Sequence, residues 1–252
     1  MTEENIINVE QVDAGYGAFP ILENVSFTVQ RSEVFAILGG SGCGKSTLLK
    51  HMIGLNPPLG GQILIMGDRI FGGTAEERER AMRHFGVTYQ SGALFGSMTL
   101  LENVCLPLEV FTDLPRDARL LVASMKLDLV GLKNFASYFP ADISGGMKKR
   151  AAIARALALD PKILFLDEPS AGLDPITAAE LDRLILRLRD TQGITFVVVT
   201  HELASLFAIA DRCIMLDKPT RGILVEGRPA DLRDHPPCAA VRAFFNRELP
   251  HE

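Results

Sequence analysis

The chain has 252 residues, enough for one large α/β domain or a domain with a subdomain, and 47% of them are hydrophobic. No apolar run approaches the ~20 residues that cross a bilayer, and the acidic residues 1–5 lack the basic and apolar regions of a signal peptide. A net charge of −5 argues against non-specific nucleic-acid binding, and four cysteines without a C-x-x-C pair argue against a zinc site or a disulfide framework.

The first two predicted strands cover residues 6–12 and 21–29, where apolar residues alternate with polar ones, and they indicate an antiparallel layer. Gly15, Tyr16 and Gly17 lie between them and predict a turn that carries an aromatic ring. Such a ring could stack on a purine, although a single exposed tyrosine usually has no such role.

A glycine-rich stretch follows the apolar strand 34–38 and precedes a helix that ends near Gly54. Its members are Gly39, Gly40, Ser41, Gly42, Cys43, Gly44, Lys45, Ser46 and Thr47. They match G-x-x-x-x-G-K-[ST] in its required strand–loop–helix context. Backbone N–H groups and the helix N-terminus would bind a polyphosphate, Lys45 would contact the β- and γ-phosphates, and Ser46 would be a ligand of Mg²⁺. The pattern predicts a nucleoside triphosphate site; the alternative is a glycine-rich turn with a solvated lysine.

The middle of the chain changes from strands to helices. A strand is predicted at 62–66, a helix from the capping box at Thr74 to Gly86, and a short strand at 87–90 that ends in Gln90. Residues 91–141 contain no strong strand, with an apolar segment at 100–110 interrupted by Pro107 and a helix at 117–130, so we expect a mostly helical insertion. Ser144 is predicted to cap the next helix, which ends at Asp160 and Pro161.

Residues 163–166 and 195–199 are continuous aliphatic runs, typical of parallel strands that are covered on both faces. Between them, Asp174 and Pro175 begin a helix that ends near Gly193. Residues 213–216 and 222–226 indicate a final hairpin. The tail from His235 has apolar residues at helical spacing, and the sequence leaves open whether it packs on its own domain or on another subunit.

Polar side chains follow three of the predicted parallel strands: Gln90, Asp167 with Glu168, and Thr200 with His201. The phosphate loop follows a fourth strand. Ligands bind at the carboxyl edge of such sheets, so these residues are expected to meet there.

The chemistry of this edge suits triphosphate hydrolysis. Asp167 can hold Mg²⁺, Glu168 can orient or deprotonate the attacking water, and His201 can contact the γ-phosphate. The alternatives are a helix cap or surface charge for the two carboxylates and an ordinary polar histidine.

A second anion site is predicted at Ser144, Gly145 and Gly146, where a serine cap and glycine amides begin a helix. This site lies on the helical insertion, away from the sheet edge. A head-to-tail pair of chains, each facing the other's phosphate loop, would bring both anion sites to one nucleotide.

These motifs, taken in order, resemble the ATP-binding cassette (ABC) ATPases over nearly the whole chain. The set consists of the phosphate loop, Gln90, Ile143-Ser144-Gly145-Gly146-Met147, Leu166-Asp167-Glu168-Pro169, Ala171-Gly172-Leu173-Asp174 and Thr200-His201. The resemblance implies an α/β fold: a P-loop NTPase (RecA-like) core at about 1–90 and 159–234 with an antiparallel β layer, a helical subdomain at about 91–158, and a C-terminal tail at 235–252.

The resemblance also implies roles for single residues. Tyr16 would stack on adenine, and Gln90 would bind Mg²⁺ and sense a membrane partner. Glu168 would be the catalytic base, assisted by Lys45 and by the switch histidine His201. Asp174 would bridge a homodimer around two ATP molecules.

One departure points to a subfamily, because Met147 stands where these ATPases usually have Gln, and the basic run Lys148-Lys149-Arg150 follows it. Three segments are similar to the cassettes of the maintenance-of-lipid-asymmetry (Mla) transporters: Gln90-Ser91-Gly92-Ala93-Leu94-Phe95, Ser144-Gly145-Gly146-Met147 with its basic run, and Gly172-Leu173-Asp174-Pro175-Ile176-Thr177. That similarity implies phospholipid transport with an integral membrane permease and further lipid-transport subunits, at the cytoplasmic side of the bacterial inner membrane. Alternatives are an importer ATPase for amino acids or another small solute, and an ABC ATPase without a transport role.

The permease contact is predicted around Gln90 and four apolar residues, Leu94, Phe95, Met98 and Leu100. An exposed apolar patch usually marks a partner site. The four residues could instead form the core of the helical insertion.

Overall fold

The computed structural model describes residues 5–246. The strands are β1 (Asn5–Tyr16), β2 (Phe19–Gln30), β3 (Val34–Gly39), β4 (Gly60–Ile65), β5 (Asp68–Arg69), β6 (Phe85–Thr88), β7 (Ile163–Asp167), β8 (Thr195–Val199), β9 (Arg212–Asp217) and β10 (Gly222–Gly227). The α-helices are α1 (Lys45–Met52), α2 (Ala75–Arg83), α3 (Leu100–Phe111), α4 (Arg116–Leu129), α5 (Gly145–Ala156), α6 (Pro175–Gln192), α7 (Leu203–Ile209), α8 (Pro229–Asp234) and α9 (Ala239–Asn246).

Two sheets organise the described part of the chain. The first is antiparallel with strand order β2-β1-β4-β5, and the second has the order β10-β9-β3-β8-β7-β6. In the second sheet the strands from β9 to β6 run parallel, and only the β9–β10 hairpin is antiparallel. The α/β class, the antiparallel layer and the final hairpin are therefore confirmed.

The central strands separate three hydrophobic cores. In β3, Phe35 and Ile37 face the core shared with the antiparallel sheet and α1, whereas Ala36 and Leu38 pack against the C-terminal helices. Val34 contacts the third core, which contains residues of α3 to α6. Side chains of a strand alternate between the two faces of its sheet, so a strand covered on both faces is apolar throughout.

Several predicted boundaries shift. The capping box at Thr74 is present, with Thr74 and Glu77 bonded to each other's backbone N–H, but α2 ends at Arg83 and not at Gly86. Gly86 belongs to β6, where a Cβ would lie 2.2 Å from the carbonyl oxygen of Ala156 in α5. Pro107, which interrupts the apolar segment of the sequence, does not end a helix, since α3 continues through it; a proline there removes one backbone hydrogen bond, and tertiary packing holds the helix. Helices α7 and α8 were not predicted.

The C-terminal tail packs on its own domain as far as Asn246. Val241 and Phe245 of α9 are buried in the core that also contains Leu206 of α7 and Leu38 of β3. This answers for α9 the question that the sequence left open. Residues 247–252 of the predicted tail lie outside the described part of the chain.

Candidate active site

Glycines shape the loop between β3 and α1. Gly39, Gly42 and Gly44 have φ angles of 144°, 75° and 103°, which glycine adopts without steric cost. Lys45 Nζ donates to the carbonyl oxygens of Gly39 (2.7 Å) and Gly40 (3.0 Å). The lysine therefore folds back over the loop, and its charge lies beside the backbone that would cradle a phosphate.

The other members of the loop divide by exposure. Ser41 is exposed, whereas Cys43 is buried and packs into the core below the loop. Ser46 and Thr47 lie in the first turn of α1, and the Ser46 side chain is exposed. The N-terminus of α1 thus presents an accessible hydroxyl together with the positive end of the helix dipole.

Tyr16 lies at the end of β1, half exposed, next to α1. Its hydroxyl accepts a hydrogen bond from Lys50 Nζ (3.3 Å), and that ammonium lies 5.7 Å from the centre of the ring. Hydrogen bonds with Thr47 and Lys50 lower the pKa of Tyr16. The structure brings the ring to the helix that follows the phosphate loop.

The predicted edge of the sheet is present. Asp167 is the last residue of β7 and Glu168 follows it, while Thr200 and His201 follow β8 directly. Gln90 is exposed two residues beyond β6. Since β3, β8, β7 and β6 are parallel and adjacent in that order, these residues lie at the same edge of the sheet as the phosphate loop.

Glu168 is the most constrained of these residues. Its Oε1 lies 2.7 Å from His201 Nδ1, and its Oε2 is buried with no hydrogen-bond partner among the described residues. Its backbone N–H donates to the carbonyl of Val199 (2.8 Å), and its φ of 48° lies in the left-handed region. Backbone strain of this kind concentrates at functional sites. One carboxylate oxygen is oriented by His201, and the other is left for a further donor.

Asp167 is partly buried beside this carboxylate. Burial raises the pKa of Asp167, and the charge of Glu168 raises it further; Lys149 and Lys45 oppose both effects. Within residues 5–246 no group of three or more His, Cys, Asp or Glu side chains could hold a metal by itself. The carboxylate of Asp167 would therefore need oxygen atoms of a ligand to complete the shell of a hard cation.

The second predicted anion site begins α5. Ser144 caps this helix, with its Oγ accepting from the N–H of Met147 at 3.3 Å, and both Ser144 and Gly145 are exposed. Gly146 is buried against α6, and a Cβ there would lie 2.3 Å from Thr177 Cγ2. α5 packs into the core of α3 to α6, whereas Cys43 of the phosphate loop packs into the other main core.

Asp174 caps α6. Its Oδ1 accepts from the N–H groups of Ile176 and Thr177, each at 3.1 Å. Hydrogen bonds from the Thr177 side chain and backbone lower the pKa of Asp174. In this chain its carboxylate organises the N-terminus of the helix, as the Asp-Pro start predicted.

Sequence reasoning missed three supporting residues. Lys149 binds the backbone carbonyls of Gln90 and Glu168, and Arg155 binds the loop just after Gln90. His51 is fully buried, with Nε2 accepting from the N–H of Gly15 next to Tyr16. The basic run that contains Lys149 was visible in the sequence, but its backbone acceptors were not.

Known proteins are similar to this chain in sequence. The family described as ABC transporter matches residues 22–171. The chain is 38% identical to the intermembrane phospholipid transport system ATP-binding protein MlaF of Escherichia coli strain K12, over 96% of this chain and 89% of that protein. It is 41% identical to the probable ribonucleotide transport ATP-binding protein mkl of Mycobacterium tuberculosis strain H37Rv, over 95% of this chain and 66% of that protein.

A solved structure extends the likeness to a captured catalytic state. A dimeric ATP-binding cassette in a post-hydrolysis state, bound to ADP and Pi, superposes with a TM-score of 0.78 at 30% identity, over 88% of this chain and 98% of that one. The phosphate loop, the strand-end carboxylates and the histidine agree with the chemistry of such a protein. This chain therefore belongs to the ABC transporter family and is one of its ATP-hydrolysing ATP-binding subunits.

Proposed function

We propose that two copies of this chain close around two ATP molecules and drive a membrane permease that moves phospholipid. One observation supports the catalytic part most directly: Glu168 has one carboxylate oxygen held by His201 and a second, buried oxygen without a partner among the described residues. A water donating to that second oxygen would be oriented for attack on a γ-phosphate, with Glu168 as general base.

The surrounding residues suit ATP and Mg²⁺. Mg²⁺ would neutralise charge on the β- and γ-phosphates, and Ser46, Asp167 and Gln90 are the residues that would hold it. Asp167 supports this fit, because burial raises its pKa and a nearby cation would favour its charged form. Tyr16 would stack on the adenine. Lys45 Nζ would exchange its hydrogen bonds to the carbonyl oxygens of Gly39 and Gly40 for contacts with the phosphates.

The dimer follows from the separation of the two anion sites. Ser144 and Gly145 expose a helix N-terminus on α5, which packs in a different core from the phosphate loop. A second chain, related by a two-fold axis, could present this terminus to the γ-phosphate of the first. Asp174 begins the neighbouring helix α6 and would lie in the same interface.

The permease would contact an apolar surface on the helical segment. Five apolar side chains there are at least half exposed: Phe95 (50%), Val110 (63%), Phe111 (60%), Leu121 (63%) and Met125 (59%). Leu100, also predicted for this surface, is instead buried, and Leu94 packs partly into the same core. None of the helices within residues 5–246 is long and apolar enough to span a bilayer. To drive transport, the chain would thus need a partner that spans the membrane. That partner would hold the chain at the cytoplasmic face of a bacterial inner membrane.

The cargo is proposed from the relatives. The MlaF name supports phospholipid carried with further lipid-transport subunits, and the mkl name makes a ribonucleotide the second candidate. An importer for amino acids or another small solute, or a role outside transport, would be a third outcome.

Purification of the trapped complex tests this proposal. Tagged Glu168→Gln chain is isolated with ATP from detergent-solubilised membranes, and its partners and extracted lipids are identified by mass spectrometry. We expect a multi-spanning permease and bound phospholipid, both reduced when Phe111→Asp is added. The matched control is Leu55→Asp, which places the same charge at another exposed apolar site (56%). A monomeric Glu168→Gln chain with ATP, or a permease that carries ribonucleotide and no phospholipid, would contradict the dimer or the cargo respectively.

A further inference from the structure

Lys149 joins two loops of the site that lie far apart in the chain. From the start of α5 its Nζ donates to the carbonyl oxygen of Gln90 and, at 2.9 Å, to that of Glu168. Burial lowers the pKa of Lys149, while the charges of Glu168 and Asp167 favour its protonated form. A partly buried ammonium needs such acceptors, because an unpaired buried charge is strongly unfavourable.

The Glu168 contact acts on a strained peptide. Glu168 has a φ of 48°, and its N–H is held by Val199 at 2.8 Å. Its carbonyl oxygen accepts from the N–H of Ala171 (3.2 Å) as well as from Lys149. Lys149 therefore contributes a charge-assisted hydrogen bond, the stronger kind, to the backbone that aims the Glu168 side chain.

A second cation of α5 holds the loop that follows Gln90. Arg155 donates to the carbonyl oxygens of Gly92 (3.1 Å) and Ala93 (2.6 Å). With Lys149 on the carbonyl of Gln90, α5 binds this loop at both ends, so the loop and the helix are expected to move together. Glu168 lies just beyond the end of β7, and Lys149 adds a direct hydrogen bond from α5 to its backbone, besides the pairing of β7 with β6.

We infer that Lys149 is a positioning residue for hydrolysis: it sets the backbone of Glu168 relative to the Gln90 loop and to α5. The inference rests on the proposed role of Glu168 as the base. Any displacement of α5, the helix that begins at the proposed phosphate contact Ser144, would then be transmitted to the base through one side chain. If Lys149 had only a structural role, replacing it would also change the stability of the fold or the affinity for ATP.

Steady-state ATPase kinetics separate these roles. The full chain, kept in the complex in which it purifies, is compared as wild type, Lys149→Met and Lys149→Arg. Lys149→Met keeps an apolar stem but removes the donors, and we expect kcat to fall about ten- to a hundredfold, the size of one lost charge-assisted hydrogen bond, with KM changed less than about threefold. Lys149→Arg keeps donors and charge, and should restore kcat to within about threefold of wild type. Lys148→Met is the matched control, since no side-chain hydrogen bond of Lys148 is found among the described residues.

Two further measurements make the result decisive. Binding of a fluorescent ATP analogue and Tm should be unchanged in Lys149→Met, and ATP should still trap its dimer in the Glu168→Gln background. Unchanged kcat in Lys149→Met, a matching loss in Lys149→Arg, or a loss confined to KM or Tm would overturn the inference. Normal hydrolysis by Glu168→Gln alone would instead remove the proposed function of Glu168, so the two failures are distinguishable.

Discussion

The side chains of Glu168 and His201 meet at 2.7 Å, between Oε1 and Nδ1, although 33 residues separate them in the chain. Each follows a neighbouring parallel strand, β7 or β8, so the sheet creates the pair. Glu168 uses one oxygen for this contact and leaves the other buried and without a partner among the described residues.

Glu168→Gln should retain ATP binding and lower kcat by about 10²–10³, the cost of removing one transition-state group. His201→Ala should also lower kcat. Because the two side chains act as a unit, the double variant should lose less than the product of the two single losses. ATPase assays with a double-mutant cycle measure this, with the exposed Glu180→Gln as control. If the kcat loss of the double variant equals the product of the two single losses, the contact between Glu168 and His201 does not couple their effects on hydrolysis.

Asp167→Asn should stabilise the nucleotide-free chain while abolishing Mg²⁺-dependent hydrolysis. Burial raises the pKa of Asp167 in the folded state, so the folded chain binds more protons than the unfolded one above the ordinary Asp pKa of about 4. This carboxyl therefore contributes less to the free energy of unfolding as the pH rises through that window.

At pH 8 we expect the Tm of Asp167→Asn to exceed that of the wild type, because the buried carboxylate is charged there and the amide is not. The difference should shrink as the pH is lowered toward 5. Calorimetry at several pH values measures it, with Asp113→Asn on an exposed loop as the control. A Tm of Asp167→Asn below that of the wild type at pH 8 would contradict a raised pKa of Asp167.

His51→Phe should weaken both stability and ATP binding. His51 Nδ1 lies 2.8 Å from the carbonyl oxygen of Asn56, so Nδ1 carries the proton and Nε2 accepts from the N–H of Gly15 at 3.1 Å. A phenyl ring leaves that buried N–H unpaired, at a cost of about 1–3 kcal/mol. Since Gly15 precedes Tyr16, the Kd of ATP should also rise.

Thermal unfolding and titration with a fluorescent ATP analogue test the His51 prediction. The control is His235→Phe, which replaces an exposed histidine after α8. Loss of stability without any change in nucleotide affinity would show that the β1 end is positioned by other contacts.

Gly146→Ala should force α5 and α6 apart, because the added Cβ would lie 2.3 Å from Thr177 Cγ2. Thr177→Ser removes that methyl group and keeps the hydroxyl, which donates to Asp174 Oδ2 at 2.6 Å. The double variant should therefore recover most of the Tm lost by Gly146→Ala. At Gly145 the nearest atom is 3.7 Å away, so Gly145→Ala should leave Tm nearly unchanged. Failure of Thr177→Ser to rescue Tm would place the strain elsewhere.

The sequence by itself determined the local features of this protein. The phosphate loop, the capping box at Thr74, the apolar parallel strands and the order of the strand-end residues all depend on spacing within a few residues. The α/β class and the meeting of these residues at one edge of the sheet could be predicted for this reason. The extent of α3 through Pro107 could not, because packing in the helical core outweighs one missing backbone hydrogen bond.

The tertiary structure alone decided the contacts between distant segments. Glu168 adopts a left-handed backbone that no propensity assigns to glutamate, and Lys149 binds two carbonyl groups that any residue type would present. His51 and α9 are likewise placed by what they pack against. Backbone acceptors and packing partners leave no residue-type signal in one sequence, so such contacts become visible only once the sheets and helices are assembled.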